Sequence, residues 1–256
     1  MATYIQGRNV NLTFRPPNRG PVRALHNFDI DVREGEFLSI VGPSGCGKST
    51  FLNVLLGLLK PDSGDLTMHG KAIAGPGPDR AMVFQEFGLL PWRTVENNIG
   101  LGLELKGAPA ETRRKVSSHF IDMVGLRGFE GHFPHELSGG MKQRVGLARA
   151  LATDPDILLM DEPFAALDAQ TRDLMQVELL RIWNEAKKTV LFVTHQIDEA
   201  IYLSDRVMVM TKRPGRTKRI FDIKLARPRD YEMRVTPEFN DLKLEIWHTL
   251  KDEISI

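Results

Sequence analysis

Apolar residues alternate with polar ones at Phe28, Ile30 and Val32, and a compact, mostly apolar run, Phe37–Val41, follows a short polar break. Both patterns predict strands, the first buried on one face and the second on two. Four more short apolar runs, at 81–84, 157–160, 190–193 and 207–210, read the same way. Between them the period changes. In 168–187 the residues Met175, Leu179, Ile182 and Ala186 recur at helical intervals, and 49–59 reads as a helix opening straight after a glycine-rich turn. Strands alternating with helices predict an α/β fold with a mainly parallel sheet covered on both faces. The stretch 91–152 interrupts this order with helical patterns at 94–105, 110–124 and 139–152 and no strand, so it reads as an inserted helical subdomain. The expected organisation is one domain over 1–256: a core from 1–90 and 153–235, the helical subdomain 91–152, and a last amphipathic helix, 236–256, opened by Pro237 and lined by Phe239, Leu242, Ile246 and Leu250.

Composition narrows the partners. Lys and Arg number 34 against 33 Asp and Glu, a net charge of +1, which argues against a protein that coats nucleic acid. The single cysteine, Cys46, excludes an intrachain disulfide framework and suits a reducing compartment. Residues 1–10 hold no apolar leader segment, and the apolar runs fall far short of a membrane span of roughly 18 residues. The expectation is a soluble, cytosolic chain.

The segment Gly42-Pro43-Ser44-Gly45-Cys46-Gly47-Lys48-Ser49, with Thr50 next, fits G-x-x-x-x-G-K-[ST] and stands between a predicted strand and a predicted helix. Its glycines let backbone N–H groups turn inward around phosphate oxygens, and the following helix aims its positive end at them. Lys48 can reach the β- and γ-phosphates, and the Ser49 hydroxyl can ligate Mg²⁺. Cys46 admits two readings, a small packing side chain or a thiol made reactive beside a helix N-terminus. At the far end of the strand 157–160 stand two carboxylates: Asp161, placed to hold a Mg²⁺ shell, and Glu162, placed to orient and deprotonate a water.

Leu137-Ser138-Gly139-Gly140-Met141 opens a helix 23 residues before Asp161 is reached from Ser138, and its serine and glycines form a second phosphate-binding surface. One nucleotide needs one cradle, so two suggest a second subunit placed head-to-tail. Here the chain resembles the ATP-binding-cassette ATPases over essentially its whole length, in the order phosphate loop, Gln85, Ser138–Gly140, Asp161–Glu162, Asp168, His195. That resemblance implies a P-loop NTPase core with an N-terminal antiparallel β subdomain, ATP and Mg²⁺ as ligands, and a nucleotide-sandwich dimer. In it Ser138, Gly139 and Gly140 touch the γ-phosphate held at Lys48 of the other copy, Gln85 touches Mg²⁺ and the water, Asp168 bridges the dimer, and His195 contacts the γ-phosphate beside the water of Glu162. Phe14, 28 residues before Gly42, is the expected adenine platform, with a strand-core role and Tyr4 as alternatives. One departure is that Gln196 follows His195 where the family commonly has Asp.

The run from Gly75 to Gln85, followed by Leu89-Leu90-Pro91-Trp92-Arg93, is similar to the nitrate, sulfonate, taurine and bicarbonate importers, as are residues 161–168 and the turn Lys212-Arg213-Pro214-Gly215-Arg216. The resemblance implies a homodimer, or a heterodimer with a paralogous ATPase subunit, at the cytoplasmic face of the inner membrane. Above it sit two permease subunits, docked near Phe87, Leu89, Leu90, Pro91 and Trp92, served by a periplasmic binding protein. A soluble relative that clamps nucleic acid or the ribosome is the alternative. His132 and His135 have no third ligand nearby and read as loop. The segment 206–234, with ten basic residues against three acidic, reads as a solvated face or one turned to anionic lipid.

Overall fold

The computed structural model describes residues 3–254. The outermost residues of the expected domain 1–256 and of its last helix 236–256, namely 1–2 and 255–256, lie outside the described residues. The chain runs β1 (Thr3–Phe14), β2 (Val22–Arg33), β3 (Phe37–Val41), α1 (Lys48–Leu55), β4 (Ser63–Met68), β5 (Lys71–Ala72), β6 (Arg80–Val83), α2 (Val95–Ile99), α3 (Leu101–Leu105) and α4 (Ala110–Met123). It continues through α5 (Gly139–Ala152), β7 (Ile157–Asp161), α6 (Ala169–Ala186), β8 (Thr189–Thr194), α7 (Ile197–Leu203), β9 (Arg206–Met210), β10 (Thr217–Asp222) and α8 (Pro237–Lys251). Among the described residues two compact units result, 3–77 joined by 189–254, and 78–188.

In the first unit, β2, β1, β4 and β5 lie side by side in an antiparallel sheet, and β3 is paired in parallel with β8 and β9 while β10 closes antiparallel on β9. Every residue of β3, β8 and β9 is buried, so these strands are covered on both faces and show no alternation. Helix α1 buries Phe51, Leu52, Val54 and Leu55, and the Phe51 ring meets Phe28 of β2 at 4.6 Å. Each such side chain contributes about 1.5–3 kcal/mol on burial. The expected helix 49–59 stops early because the amides of Leu58 and Leu59 both turn back to the Asn53 carbonyl. Arg206 and Glu36 form a buried ion pair at 3.0 Å, and burial still holds the Glu36 carboxyl above its ordinary range.

The second unit contains β6 and β7, paired in parallel, together with α2–α6. It is larger than the helical subdomain expected at 91–152: it takes in both strands and α6 and so extends from Pro78 to Lys188. The expected helix 94–105 is two short helices, α2 and α3, divided at Gly100, where helix propensity is poorest. Among the described residues, no helix is long and apolar enough to cross a membrane.

Candidate functional site

The loop after β3 is shaped by its glycines and by what packs beneath it. Gly47 caps α1 with φ 116°, a left-handed conformation that disfavours any side chain. Lys48, first in α1, is only 5% exposed; its Nζ donates to the carbonyls of Gly42 at 2.9 Å and Pro43 at 3.1 Å. The ammonium therefore already sits inside the curl of the loop. Ser49 is exposed on the first turn of the same helix, Thr50 is half-buried, and Ser44 and Gly45 form the open crown. Cys46 is buried, which fits its packing role rather than that of an accessible thiol. A Cβ added at Gly42 would lie 2.9 Å from its sulfur.

A support missed at the level of sequence is Gly215. Its amide donates to Ala24 of β2 at 2.8 Å, and its carbonyl accepts from His26 at 3.0 Å. A side chain there would strike the Cys46 carbonyl and the Met210 methyl. The turn singled out as importer-like, Lys212–Arg216, is thus the floor of the phosphate loop.

Phe14 ends β1 opposite Val22 and is 41% exposed, whereas Tyr4 is 3% exposed and edge-on to His69 at 4.3 Å. The structure leaves a ring surface at Phe14 and none at Tyr4. His195 is exposed immediately after β8, followed by Gln196, whose backbone N–H donates to the Thr194 hydroxyl at 3.0 Å.

In the second unit, Asp161 ends β7 and Glu162 follows it with φ 45°. A non-glycine residue in this left-handed region is strained, and such strain gathers at working sites. Ser138 caps α5 by accepting from the Met141 amide at 3.3 Å, with Gly139 partly exposed and Gly140 buried behind it. A cavity of about 220 Å³ opens beside this helix start, lined in part by Ser138, Gly140, Met141 and Arg144. Asp168 caps α6 by accepting from Thr171 at 3.0 Å, and that bond holds its carboxyl below the usual aspartate range.

Gln85 is exposed just past β6, and the segment after it is held open by residues that carried no motif. Arg149 donates to the carbonyls of Gly88 and Phe87 at 2.6 and 3.2 Å. Buried Asn98 donates to the carbonyls of Leu90, Arg93 and Thr94 and accepts from the Leu90 amide. These bonds fix a loop on which Trp92 is 71% exposed, Pro91 is exposed, and Phe87, Leu89 and Leu90 are half-buried. The helical lobe does not bury Trp92.

Of the expected Mg²⁺ ligands, Ser49 belongs to the first unit and Gln85 and Asp161 to the second, and each carries a hard oxygen of the kind Mg²⁺ takes. Among the described residues there is no group of three His, Cys, Asp or Glu side chains that could hold a metal. Mg²⁺ is usually held by one or two protein oxygens together with substrate phosphates.

Residues 25–165 match the family described as ABC transporter. The chain is 56% identical to an uncharacterized ABC transporter ATP-binding protein of Methanocaldococcus jannaschii, over 93% of this chain and 88% of that one. It is 45% identical to the nitrate import ATP-binding protein NrtC of Synechococcus elongatus (99% and 39%) and 44% identical to the taurine import ATP-binding protein TauB of Roseobacter denitrificans (98% and 95%). A solved dimeric ATP-binding cassette, in a post-hydrolysis state with ADP and phosphate, is 34% identical, superposes with a TM-score of 0.75, and aligns over 87% of this chain and 100% of that one. With the family match spanning residues 25–165 and relatives alike over nearly the whole chain, this chain belongs to the ABC transporter family, as an ATP-binding subunit that hydrolyses ATP.

Proposed function

We propose that this subunit drives uptake of a small anion, in the class of nitrate, bicarbonate, sulfonates or taurine, through a membrane permease on whose cytoplasmic face it sits. The observation that carries the permease partnership is the exposed indole of Trp92 on a loop pinned by Asn98 and Arg149. Exposed aromatic surface on a loop pinned by hydrogen bonds from neighbouring helices is suited to docking a partner helix. Relatives of nearly equal identity are named for nitrate and for taurine import, which supports the class rather than one solute.

In this reading the loop from Gly42 to Thr50 binds the ATP phosphates, with Lys48 leaving its own carbonyls for the β- and γ-oxygens, and Phe14 stacks on adenine. Ser49, Gln85 and Asp161 would supply oxygens to Mg²⁺, which would neutralise phosphate charge when bound. Glu162 takes the proton of the attacking water, and His195 steadies the γ-phosphate. Ser138, Gly139 and Gly140 serve the ATP of a second copy or paralogue, with Asp168 at the shared boundary. ATP closes this dimer, hydrolysis opens it, and the permease follows; a periplasmic binding protein delivers the solute.

The test is to purify the tagged chain from detergent-solubilised native membranes and identify its companions by mass spectrometry. A pair of membrane-spanning subunits is expected. Recovery with ribosomes or DNA and no membrane protein would overturn the importer reading and favour a clamp.

A further inference from the structure

The turn that carries His195 is held by two side chains that no motif assigns. Thr194, the last residue of β8, is 1% exposed, and Glu199, on α7, is 4% exposed. A buried carboxylate is costly unless it is hydrogen-bonded, and an apolar side chain would fill the same place at lower cost. Glu199 Oε2 accepts the Thr194 hydroxyl proton at 2.6 Å. A hydroxyl has one proton, so its remaining lone pairs are left to accept the Gln196 amide, and they do so at 3.0 Å. The two residues flanking His195 are thereby tied to one oxygen, and that oxygen is oriented by Glu199.

The mount beneath Glu199 is fixed as well. At the far end of α7, buried Arg229 donates from Nη1 to the carbonyls of Ile201, Tyr202 and Ser204 at 3.0, 2.9 and 2.8 Å. The Ser204 hydroxyl shares a hydrogen bond with Ser39 of β3, the strand paired with β8. Helix α7 therefore cannot shift without breaking bonds at both ends.

We propose that Glu199 and Thr194 are positioning residues for ATP hydrolysis: they orient the backbone at 194–196 so that the His195 imidazole meets the γ-phosphate. This rests on the reading of His195 as the γ-phosphate contact. Neither residue touches nucleotide in this account, so loosening them should slow turnover and leave ATP binding alone.

The test is steady-state ATP hydrolysis, ATP titration and thermal melting of the full chain carrying His195→Ala, Thr194→Val, Thr194→Ser, Glu199→Ala or Glu199→Gln. Thr194→Val keeps the shape and removes the hydroxyl; Glu199→Gln keeps a carbonyl oxygen that can accept from Thr194. Thr194→Val and Glu199→Ala should each lower kcat about tenfold with KM nearly unchanged, a loss in keeping with a small misplacement of a reacting group. Thr194→Ser and Glu199→Gln should restore most of it. If Glu199→Ala does not fold, the two threonine variants carry the comparison. A slow His195→Ala beside a normal Thr194→Val would overturn the staple alone, while a normal His195→Ala would overturn the reading of His195 and the staple with it. Parallel losses of melting temperature, ATP affinity and kcat that the conservative variants fail to rescue would mean a structural role only, and would also overturn the proposal.

Discussion

Lys48 Nζ donates to the carbonyl oxygen of Gly42, six residues earlier in the same loop, at 2.9 Å. The buried ammonium closes the loop on itself and occupies the curl that phosphate oxygens would enter. Removing it takes away a charge-assisted hydrogen bond to phosphate of about 1.5–3 kcal/mol. Lys48→Ala should therefore weaken ATP binding by roughly ten- to a hundredfold, read by titration with a fluorescent nucleotide. Unchanged affinity would remove Lys48 from the phosphate site.

Gly215 offers a test of the loop from below. Its Cα faces the Cys46 carbonyl and Met210 with no room for a methyl group. Gly215→Ala should cost about 1–3 kcal/mol of stability by overpacking, and should weaken ATP binding because the displaced atom is a phosphate-loop carbonyl. A parental melting curve together with parental affinity would show that the turn 212–216 is not the floor of the loop.

Trp92 separates docking from chemistry. Because its side chain is largely exposed, Trp92→Ala should change stability by no more than about 0.5 kcal/mol and leave the isolated subunit's hydrolysis intact. Stimulation of that hydrolysis by permease-containing proteoliposomes should fall. Loss of the basal rate instead would place Trp92 in the packing of the helical lobe.

Asp168 gives a pH signature. Its folded carboxyl titrates below the ordinary value of 3.8 because the Thr171 amide hydrogen-bonds the charged form. A depressed carboxylate stabilises the fold above its unfolded pKa, and that contribution is lost as pH falls through the folded one. Between pH 6 and pH 3 the parent should thus lose melting temperature by more than Asp168→Asn does, since Asn caps a helix without titrating. Equal losses would show that the cap at Asp168 contributes nothing pH-dependent.

The strands buried on both faces were legible as apolar runs, β2 was legible by its alternation at Phe28, Ile30 and Val32, and β6 as the short run 81–84. The runs at 157–160, 190–193 and 207–210 are continuous in apolar residues, and 37–41 is broken only by buried Ser39, because no side of them meets water. Strand β1 carried no such signal. Its alternation is shifted between Gly7 and Val10, where Asn9 takes φ 48°, so the apolar positions drop out of phase. Strands β4, β5 and β10 are exposed at many positions and offer little pattern. The phosphate loop and the carboxylate pair were readable because their chemistry demands fixed residue types at fixed spacing. Arg149 and Gly215 were not, since each meets backbone groups of a segment distant in the chain, and neither were Asn98 and Glu199, whose partners lie within eight residues but follow no fixed spacing of residue types.

Glu162 is where the account is most exposed to refutation, because a strained left-handed residue at a strand end is assigned the proton transfer itself. The most direct measurement is ATP hydrolysis by Glu162→Gln, paired with sizing of the same protein in ATP and Mg²⁺. Loss of a general base should slow turnover by about 10²–10⁴-fold, while ATP binding persists and an ATP-dependent dimer accumulates. Hydrolysis at the parental rate, or a chain that stays monomeric in saturating ATP, would contradict it.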